Sequence, residues 1–253
     1  MEKEIMTLFH LSDVHIGEPG VDEDDLWRIV DGIDREARDL SNPLILVTGD
    51  LTSDGLRDEF ERFNYAVSGV STPMVIIPGN HDERNYGAAH FERLFGERFK
   101  TYETENIALF AVDSAEPDND AGHVGRAHYA KITDFFGRSQ DKIRVFALHH
   151  HLVPVPFTGR EHNVVEDSGD VLGLLDATRC SLVLNGHRHV PHIWRLNDIV
   201  IYNSGTLLSR RVRGAGTQTH TRIELMSDTV TFYLRERGRP ERVYARCPLV
   251  GPL

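Results

Sequence analysis

Cysteine is scarce in this chain of 253 residues, which contains only Cys180 and Cys247. These two residues have no metal-binding spacing, which argues against a thiolate zinc site, an iron–sulfur cluster or a disulfide framework. The sequence also lacks an apolar run near ~18 residues and the apolar segment of a secretory signal peptide. We therefore expect a cytoplasmic protein that makes no contact with a membrane.

The chain also has fewer basic than acidic residues. The chain has 28 lysine and arginine residues against 39 acidic residues, a formal net charge of −11 at pH 7. Such a surface repels nucleic-acid backbones, so stable nucleic-acid binding is not expected. A small anionic substrate remains compatible, because bound divalent cations reverse the local charge. No flexible linker or internal repeat divides the sequence, so we predict one domain over residues 1–253.

Five polar motifs each follow an apolar run that is typical of a buried strand. The runs are Met6–Leu11, Leu44–Val47, Met74–Ile77, Val145–Leu148 and Leu182–Leu184. The motifs are Asp13-Val14-His15, Gly49-Asp50, Gly79-Asn80-His81-Asp82, His149-His150 and Gly186-His187-Arg188-His189. Because sites in open α/β sheets form outside the carboxyl ends of the strands, we expect these motifs to converge. Most of them alone would be interpreted as a turn or polar loop, and their joint occurrence is the evidence for a site.

The residue spacing in two of the motifs suits metal coordination. Asp13 and His15 are two residues apart, so in extended backbone their side chains point to the same side. His187 and His189 repeat this spacing after a glycine. They therefore either face one site together or straddle it.

Oxygen ligands complete the set. Gly49 permits a close backbone approach at Asp50, whose two carboxylate oxygens can bridge two cations. Asn80 offers a neutral carbonyl oxygen, and His149 offers a further imidazole. Mixed oxygen and nitrogen ligands suit two divalent metal ions, with Mn and Fe as first candidates and Zn, Ni or Co as alternatives. A water that bridges two such ions loses a proton near neutral pH and becomes a nucleophile for phosphoryl transfer.

Two positions have alternative interpretations. His81 follows Asn80 directly, so it is expected near the metals rather than on them, as a proton donor or a phosphate ligand. Asp82 is a candidate to orient the imidazole of His81. His149 comes first after its strand and is the preferred metal ligand, with His150 as the second choice.

The remaining pattern predicts the fold. Helices are expected at Glu23–Leu40, Leu56–Val67 and Ala127–Phe136, with shorter ones near Phe91–Phe95 and Asp170–Ala177. After His189 the pattern changes to alternation, which predicts antiparallel sheet at Ile193–Leu196, Ile199–Tyr202, Thr219–Leu225 and Thr229–Leu234. Alternating strands and helices followed by a β-meander indicate a four-layer αββα sandwich, with two mixed sheets packed face to face.

These motifs, in this order, resemble those of the calcineurin-like metallophosphoesterase superfamily, and the length is most similar to its bacterial class III cyclic-nucleotide phosphodiesterase group. The resemblance covers roughly three-quarters of the chain. It implies that Asp13, His15 and His189 bind a first metal, and that Asn80, His149 and His187 bind a second. It also implies that Asp50 bridges the metals and that His81 assists, within the same αββα fold.

The segment Phe157–Asn163 is expected to shape the substrate pocket. Arg160, His162 and Asn163 are candidate contacts to phosphate or sugar, together with His150, and the alternative is that the loop residues are simply solvated. The basic run Arg210, Arg211 and Arg213 is interpreted as a solvated flap or a subunit contact.

The sequence therefore predicts a hydrolase of small phosphate esters. A phosphodiesterase acting on a nucleotide, with cyclic nucleotides as the leading candidates, is the first hypothesis. A phosphomonoesterase or pyrophosphate hydrolase with the same metal core is the second, because the metal ligands do not separate them. A non-catalytic scaffold is a remote third hypothesis, since no ligand position is lost. The resemblance also implies a homodimer.

Overall fold

The computed structural model describes residues 4–214 and 216–249. Within them, twelve strands, β1 to β12, span Met6–Leu11, Leu44–Thr48, Met74–Ile77, Lys100–Glu103, Ile107–Ala111, Ile143–Ala147, Leu182–Asn185, His192–Leu196, Ile199–Asn203, Thr219–Leu225, Thr229–Glu236 and Arg242–Pro248. Five α-helices, α1 to α5, span Glu23–Ala37, Arg57–Val67, Gly87–Phe95, Arg126–Gly137 and Ser168–Ala177. A 3-10 helix spans His81–Tyr86.

The strands form two mixed six-stranded sheets. The first sheet has the order β12-β11-β10-β1-β2-β3, in which β1, β2 and β3 are parallel and β10 joins β1 antiparallel. The second has the order β4-β5-β6-β7-β9-β8, in which the four central strands are parallel and both edge strands are antiparallel. The parallel strands of each sheet therefore end at a common edge, where the following loops can meet.

Three apolar clusters hold the layers together. Leu46 and Val145 belong to a cluster that the two sheets share, which places the main core between them. Phe60 of α2 packs in a second cluster on the outer face of the first sheet, and Phe136 of α4 packs in a third on the outer face of the second sheet. The predicted αββα sandwich is confirmed. Strands covered on both faces, such as β2, are buried along their whole length, which explains their unbroken apolar sequence.

Helix α1 begins where the sequence predicts and ends earlier. The Asp22 carboxylate accepts the Asp24 backbone N–H at 3.0 Å and caps the helix. The helix was expected to continue to Leu40 but ends at Ala37. The N–H groups of Asp39 and Leu40 bond to carbonyls three residues earlier, which tightens the chain into a turn before β2.

The strands after His189 form the expected antiparallel pairs, β8 with β9 and β10 with β11, but these pairs lie in different sheets. Strands β8 and β9 belong to the second sheet, where β9 pairs parallel with β7, whereas β10 and β11 belong to the first. The edge strands β4 and β12 were not predicted from the sequence. Strand β4 has only four residues and β12 is largely polar and exposed, so neither gives a clear alternation.

A charged residue near the start of β6 interrupts the apolar run from which the strand was predicted. The strand begins at Ile143 rather than at Val145, and it contains Arg144. The Arg144 guanidinium is buried and donates to the backbone carbonyls of Ser139, Gln140 and Thr178. These hydrogen bonds satisfy a cation inside an apolar strand.

In the part of the chain that the structure describes, no helix has both the length and the apolar character needed to span a bilayer.

Candidate metal centre

The five motifs meet at one edge of the sandwich. Their residues follow parallel strands: β1, β2 and β3 in the first sheet, and β6 and β7 in the second. All seven residues predicted to bind metal contribute nitrogen or oxygen atoms to this place, namely Asp13, His15, Asp50, Asn80, His149, His187 and His189. The convergence expected from the strand pattern is therefore confirmed.

One group of side chains combines the first and last motifs. The Asp13 Oδ1 atom lies 3.0 Å from His189 Nε2, and His15 Nε2 lies 3.3 Å from the same nitrogen. All three side chains are buried, and their ligand atoms lie within 4.8 Å of one another. Asp13 Oδ1 has no hydrogen-bond donor in suitable geometry. Two imidazole nitrogens and a carboxylate oxygen thus face one point, which suits a cation.

A second group lies beside the first. His149 Nε2 is 3.1 Å from Asn80 Oδ1, and His187 Nδ1 is 3.1 Å from that oxygen and 3.2 Å from His149 Nε2. His187 belongs to this group and His189 to the other, so the pair straddles the two groups.

Asp50 lies between the two groups. Its Oδ2 atom is 3.5 Å from His15 Nε2 and 3.4 Å from His149 Nε2. Its Oδ1 atom accepts the His81 backbone N–H at 2.9 Å. One carboxylate oxygen is therefore near a nitrogen of each group, while the other oxygen fixes the carboxylate to the loop.

Glycines make this close packing possible. A Cβ atom on Gly79 would lie 2.3 Å from Asp50 Oδ1, and one on Gly49 would lie 2.6 Å from the Gly79 backbone nitrogen. Gly49 also has a φ of +80°. The close backbone approach predicted for the Gly-Asp step is confirmed, and it extends to the Gly-Asn step.

Backbone strain is concentrated at the same residues. Five of the seven have left-handed φ values: 56° at Asp13, 56° at His15, 52° at Asp50, 70° at His187 and 56° at His189. Non-glycine residues rarely adopt this conformation, and such outliers cluster at functional sites. The local propensity of the sequence gives no sign of this strain.

Hydrogen bonds from behind the site orient the ligand side chains. His149 Nδ1 lies 2.7 Å from the Thr48 carbonyl, and His189 Nδ1 lies 2.8 Å from the Arg211 carbonyl. Donation from Nδ1 to a carbonyl directs Nε2 into the site, and in a neutral ring that nitrogen carries the lone pair that binds a metal. These partners cannot be predicted from the sequence, because backbone carbonyls carry no residue-specific signal.

The electrostatics of the site favour cations. Burial alone would raise the pKa of Asp13, but the adjacent His189 outweighs burial and lowers that pKa to about 2. Burial also opposes ionisation of Asp50, but neighbouring imidazoles, His149 foremost, hold its pKa well below the usual range. Burial lowers the pKa of His15 well below its usual value, which keeps that imidazole neutral. Burial likewise opposes protonation of His149, yet Asp50 raises its pKa to about 9. The anionic Asp50 thus favours positive charge beside His149.

His81 forms a further group with His15 and Asp50, in which the ligand atoms lie within 4.8 Å of one another. The His81 ring lies 4.6 Å from the His15 ring, and its Nδ1 is 2.5 Å from the Ser53 carbonyl. The Asp82 carboxylate was expected to orient His81, and that prediction is wrong. Its oxygens instead accept the backbone N–H groups of Leu51, Thr52 and Gly79 and the Thr52 hydroxyl. Asp82 therefore joins the loops after β2 and β3, because it is buried among backbone donors.

The four predicted substrate contacts are in different environments. His150 is buried beside the second group, with its ring 4.7 Å from that of His187 and its Nδ1 2.9 Å from Ser114 Oγ. Its ligand nitrogen also falls within 4.8 Å of those of His149 and His187. Arg160 and His162 are exposed, and Asn163 is half-buried with a φ of 61°. Among the described residues, none of these three shares a side-chain hydrogen bond with the site.

Two arginines and two carboxylates at the site were not predicted as functional residues. Arg84 Nη1 lies 2.9 Å from His81 Nδ1, and Arg84 Nη2 donates to Asp120 at 2.8 Å. Arg211 Nη2 lies 3.0 Å from His15 Nδ1, and its Nε donates to Glu18 at 3.1 Å. Arg84 directly follows the Gly-Asn-His-Asp-Glu run, which is the signal that could have identified it.

Two packed sheets with Asp and His side chains at their common edge define the class: a hydrolase of phosphate esters whose Asp and His groups could hold metal ions. The family model described as calcineurin-like phosphoesterase matches residues 6–191. The chain belongs to this family.

Individual relatives are more distant. A protein of Xenorhabdus bovienii named probable cyclic nucleotide phosphodiesterase is 25% identical over 182 residues, 69% of this chain and 72% of the relative. The 3',5'-cyclic adenosine monophosphate phosphodiesterase of Haemophilus influenzae is 22% identical over 205 residues, 74% of this chain and 71% of the relative. Among solved structures, GAP50, titled the anchor in the inner membrane complex of Plasmodium, matches with a TM-score of 0.68 and 12% identity. That match covers 98% of this chain and 90% of the other, and it supports the fold alone.

Proposed function

We propose that this protein is a dinuclear metal-dependent phosphodiesterase that acts on a small nucleotide, with cyclic nucleotides as the leading candidates. The observation that carries the proposal is the position of Asp50. Its Oδ2 atom lies 3.5 Å from His15 Nε2 and 3.4 Å from His149 Nε2, so one carboxylate is within reach of both ligand groups. A carboxylate within reach of two imidazole-rich groups suits a two-metal centre.

The residues fit two divalent cations. Asp13, His15 and His189 would hold the first, Asn80, His149 and His187 the second, and Asp50 would contact both. The fit rests on ligand atoms that converge: those of Asp13, His15 and His189 lie within 4.8 Å of one another, and His149 Nε2 lies 3.1 Å from Asn80 Oδ1. Two such cations would polarise the phosphoryl group and lower the pKa of a water molecule toward neutrality.

His81 is the proposed proton donor to the leaving oxygen. Its Nδ1 lies 2.5 Å from the Ser53 carbonyl, which directs Nε2 away from that carbonyl. The neighbouring His15 ring places His81 beside the proposed metals. From this position its imidazole can protonate an alkoxide as the P–O bond breaks, or bind a phosphoryl oxygen.

The charge balance around the site supports a diester over a monoester. Each arginine that contacts a site imidazole is also paired with a carboxylate, Arg84 with Asp120 at 2.8 Å and Arg211 with Glu18 at 3.1 Å. Neither arginine has an uncompensated positive charge, which suits the single negative charge of a diester. A monoester dianion or a pyrophosphate would favour unpaired cations. The names of the two curated relatives support a cyclic nucleotide, and hydrolysis of monoesters or pyrophosphates is the alternative.

A substrate panel separates these activities. Purified protein loaded with manganese would be assayed for bound metal per chain and for turnover of 3',5'-cyclic nucleotides, a bis-aryl phosphate, an aryl monophosphate and a nucleotide pyrophosphate. We expect about two metals per chain and a clear diester preference. Asp50→Asn should lose both properties, and Asp31→Asn, a charge-matched change at a half-buried position of α1, should lose neither. Brisk monoester turnover with no diester turnover would overturn the proposal.

Four further expectations remain proposals. They are a single domain over residues 1–253, a homodimer, a cytoplasmic location and the absence of stable nucleic-acid binding. Size-exclusion chromatography with light scattering tests the homodimer.

A further inference from the structure

The loop after β9, residues 204–214, folds back over the first ligand group, and we call it the flap. The Thr206 hydroxyl donates to the Asp13 carbonyl at 2.6 Å, and the Leu207 N–H donates to the Ser12 carbonyl at 2.9 Å. These bonds fix the start of the flap to the loop after β1. The next flap residues are therefore held beside the first group.

Glu18 holds the tip of the flap. Its carboxylate accepts the Ser209 hydroxyl at 2.6 Å, the Arg210 backbone N–H at 2.9 Å and Arg211 Nε at 3.1 Å. The Glu18 side chain is 11% exposed, whereas that of Arg211 is 48% exposed. The carboxylate is thus a fixed anchor, and the guanidinium beyond it has open space on one side.

Arg211 makes a contact that is unusual for a metal-binding site. Its Nη2 atom lies 3.0 Å from His15 Nδ1. A guanidinium has only N–H donors, so in this contact Nδ1 is the acceptor and the proton of a neutral imidazole is on Nε2. By contrast, His149 and His189 both place Nδ1 beside a backbone carbonyl, an acceptor.

These two arrangements of His15 exclude each other. Coordination through Nε2 requires that nitrogen to be unprotonated, so the proton is on Nδ1. A proton on Nδ1 would point at the N–H of Arg211 from 3.0 Å, which is repulsive. A cation bound by His15 and an Arg211 guanidinium on His15 therefore compete.

We propose that Arg211 couples metal loading to phosphate binding. Its guanidinium leaves His15 when Nε2 coordinates a cation and, still anchored through Glu18, turns to a non-bridging phosphoryl oxygen. A planar guanidinium matches such oxygens in two parallel hydrogen bonds. This inference rests on the proposed function only in requiring a metal at His15. It assigns to the flap a phosphate-positioning residue.

Two binding measurements test the inference, both made by calorimetry on the full-length protein. The first is manganese binding to wild type, Arg211→Met and Arg210→Met. Arg210 is the matched control, because it loses the same charge while its backbone N–H still reaches Glu18. Arg211→Met should bind the manganese ion at the first group about tenfold more tightly, since the competing donor is gone. Arg210→Met should match wild type.

The second measurement is inorganic phosphate binding to the manganese-loaded proteins. Arg211→Met should bind phosphate about tenfold more weakly, because it loses the charge-assisted contact of a guanidinium that is half exposed. Arg210→Met should again match wild type. Unchanged manganese affinity in Arg211→Met would overturn the competition at His15, and unchanged phosphate affinity would overturn the positioning role. Wild-type protein that binds no manganese would instead overturn the proposed function itself.

Discussion

Removal of the Asp120 carboxylate should weaken the second metal site without unfolding the protein. Asp120 Oδ1 accepts Asn80 Nδ2 at 2.9 Å and Arg84 Nη2 at 2.8 Å. The two ends of an amide are nearly the same size, so this acceptor decides that the oxygen of Asn80, and not its nitrogen, faces His149 and His187. Asp120→Ala removes that constraint and allows an amide orientation that presents N–H groups to the cation.

The expected size follows from the contacts. A hydrogen bond to a charged group contributes about 1.5–3 kcal/mol, and the exposure of Asp120 places this one at the lower end. Loss of an outer partner of a metal ligand typically weakens metal affinity about 10–100-fold. We expect roughly tenfold weaker binding of the second manganese ion in Asp120→Ala, and a smaller loss in Asp120→Asn, whose amide oxygen can still accept from Asn80.

Asp54 provides a matched control. Its carboxylate also faces Arg84, at 3.7 Å, and its side chain is 56% exposed against 57% for Asp120. Asp54→Ala therefore removes the same charge from the same arginine without releasing Asn80. Calorimetric titration with manganese would resolve the two binding steps, and thermal unfolding would report stability. If Asp120→Ala and Asp54→Ala bind the second ion with equal affinity, the orientation argument is refuted.

Three other predictions follow from the site and its surroundings. His81→Ala should lower kcat for cyclic nucleotides by about 10²–10⁴-fold and leave metal content unchanged. The loss of kcat should be smaller for a bis-aryl phosphate, because its leaving group needs no proton. Equal losses for the two substrates would contradict the proton-donor role. Gly79→Ala should destabilise the fold by about 1–3 kcal/mol and weaken manganese binding, because its Cβ would lie 2.3 Å from Asp50 Oδ1. Gly69→Ala, which has open space around it, is the control, and similar denaturation midpoints for both variants would refute the steric argument. Burial raises the pKa of Glu83 from 4.5 to about 8 although Arg98 opposes it, so the folded state retains a proton that the unfolded chain releases. The free energy of unfolding should therefore fall as pH rises from 5 to 8, by at most about 1.4 kcal/mol per pH unit. In urea titrations over this range, Glu83→Gln should show a weaker dependence on pH than wild type. Parallel curves for the two proteins would contradict the raised pKa of Glu83.

The sequence predicted the layers and the position of the site because both depend on short-range patterns. Unbroken apolar runs predicted the central strands, and polar motifs at their ends predicted where the ligands would meet. The edge strands β4 and β12 escaped prediction because edges are short or polar. The division of the later strands between the two sheets was not predicted, because alternation indicates a strand, whereas its sheet depends on where the flap leads the chain.

In the candidate site, too, features that depend on short-range pattern were predicted and features that depend on packing between distant loops were not. The types and spacing of the seven ligand residues are visible in the sequence, since each motif places them after a strand. The contacts of Asp82 with backbone N–H groups could not be foreseen, because they depend on how two loops pack. The same is true of Asp120 on Asn80 and of Arg211 on His15, which join positions far apart in the chain.

The most direct test of the central claim is a crystal structure of manganese-loaded protein with anomalous scattering data. We predict two anomalous peaks, one among Asp13, His15 and His189 and one among Asn80, His149 and His187, with Asp50 in contact with both. The two peaks should lie about 3.5–4 Å apart. A single peak, or peaks outside these residues, would contradict the dinuclear centre on which the proposed phosphodiesterase activity depends.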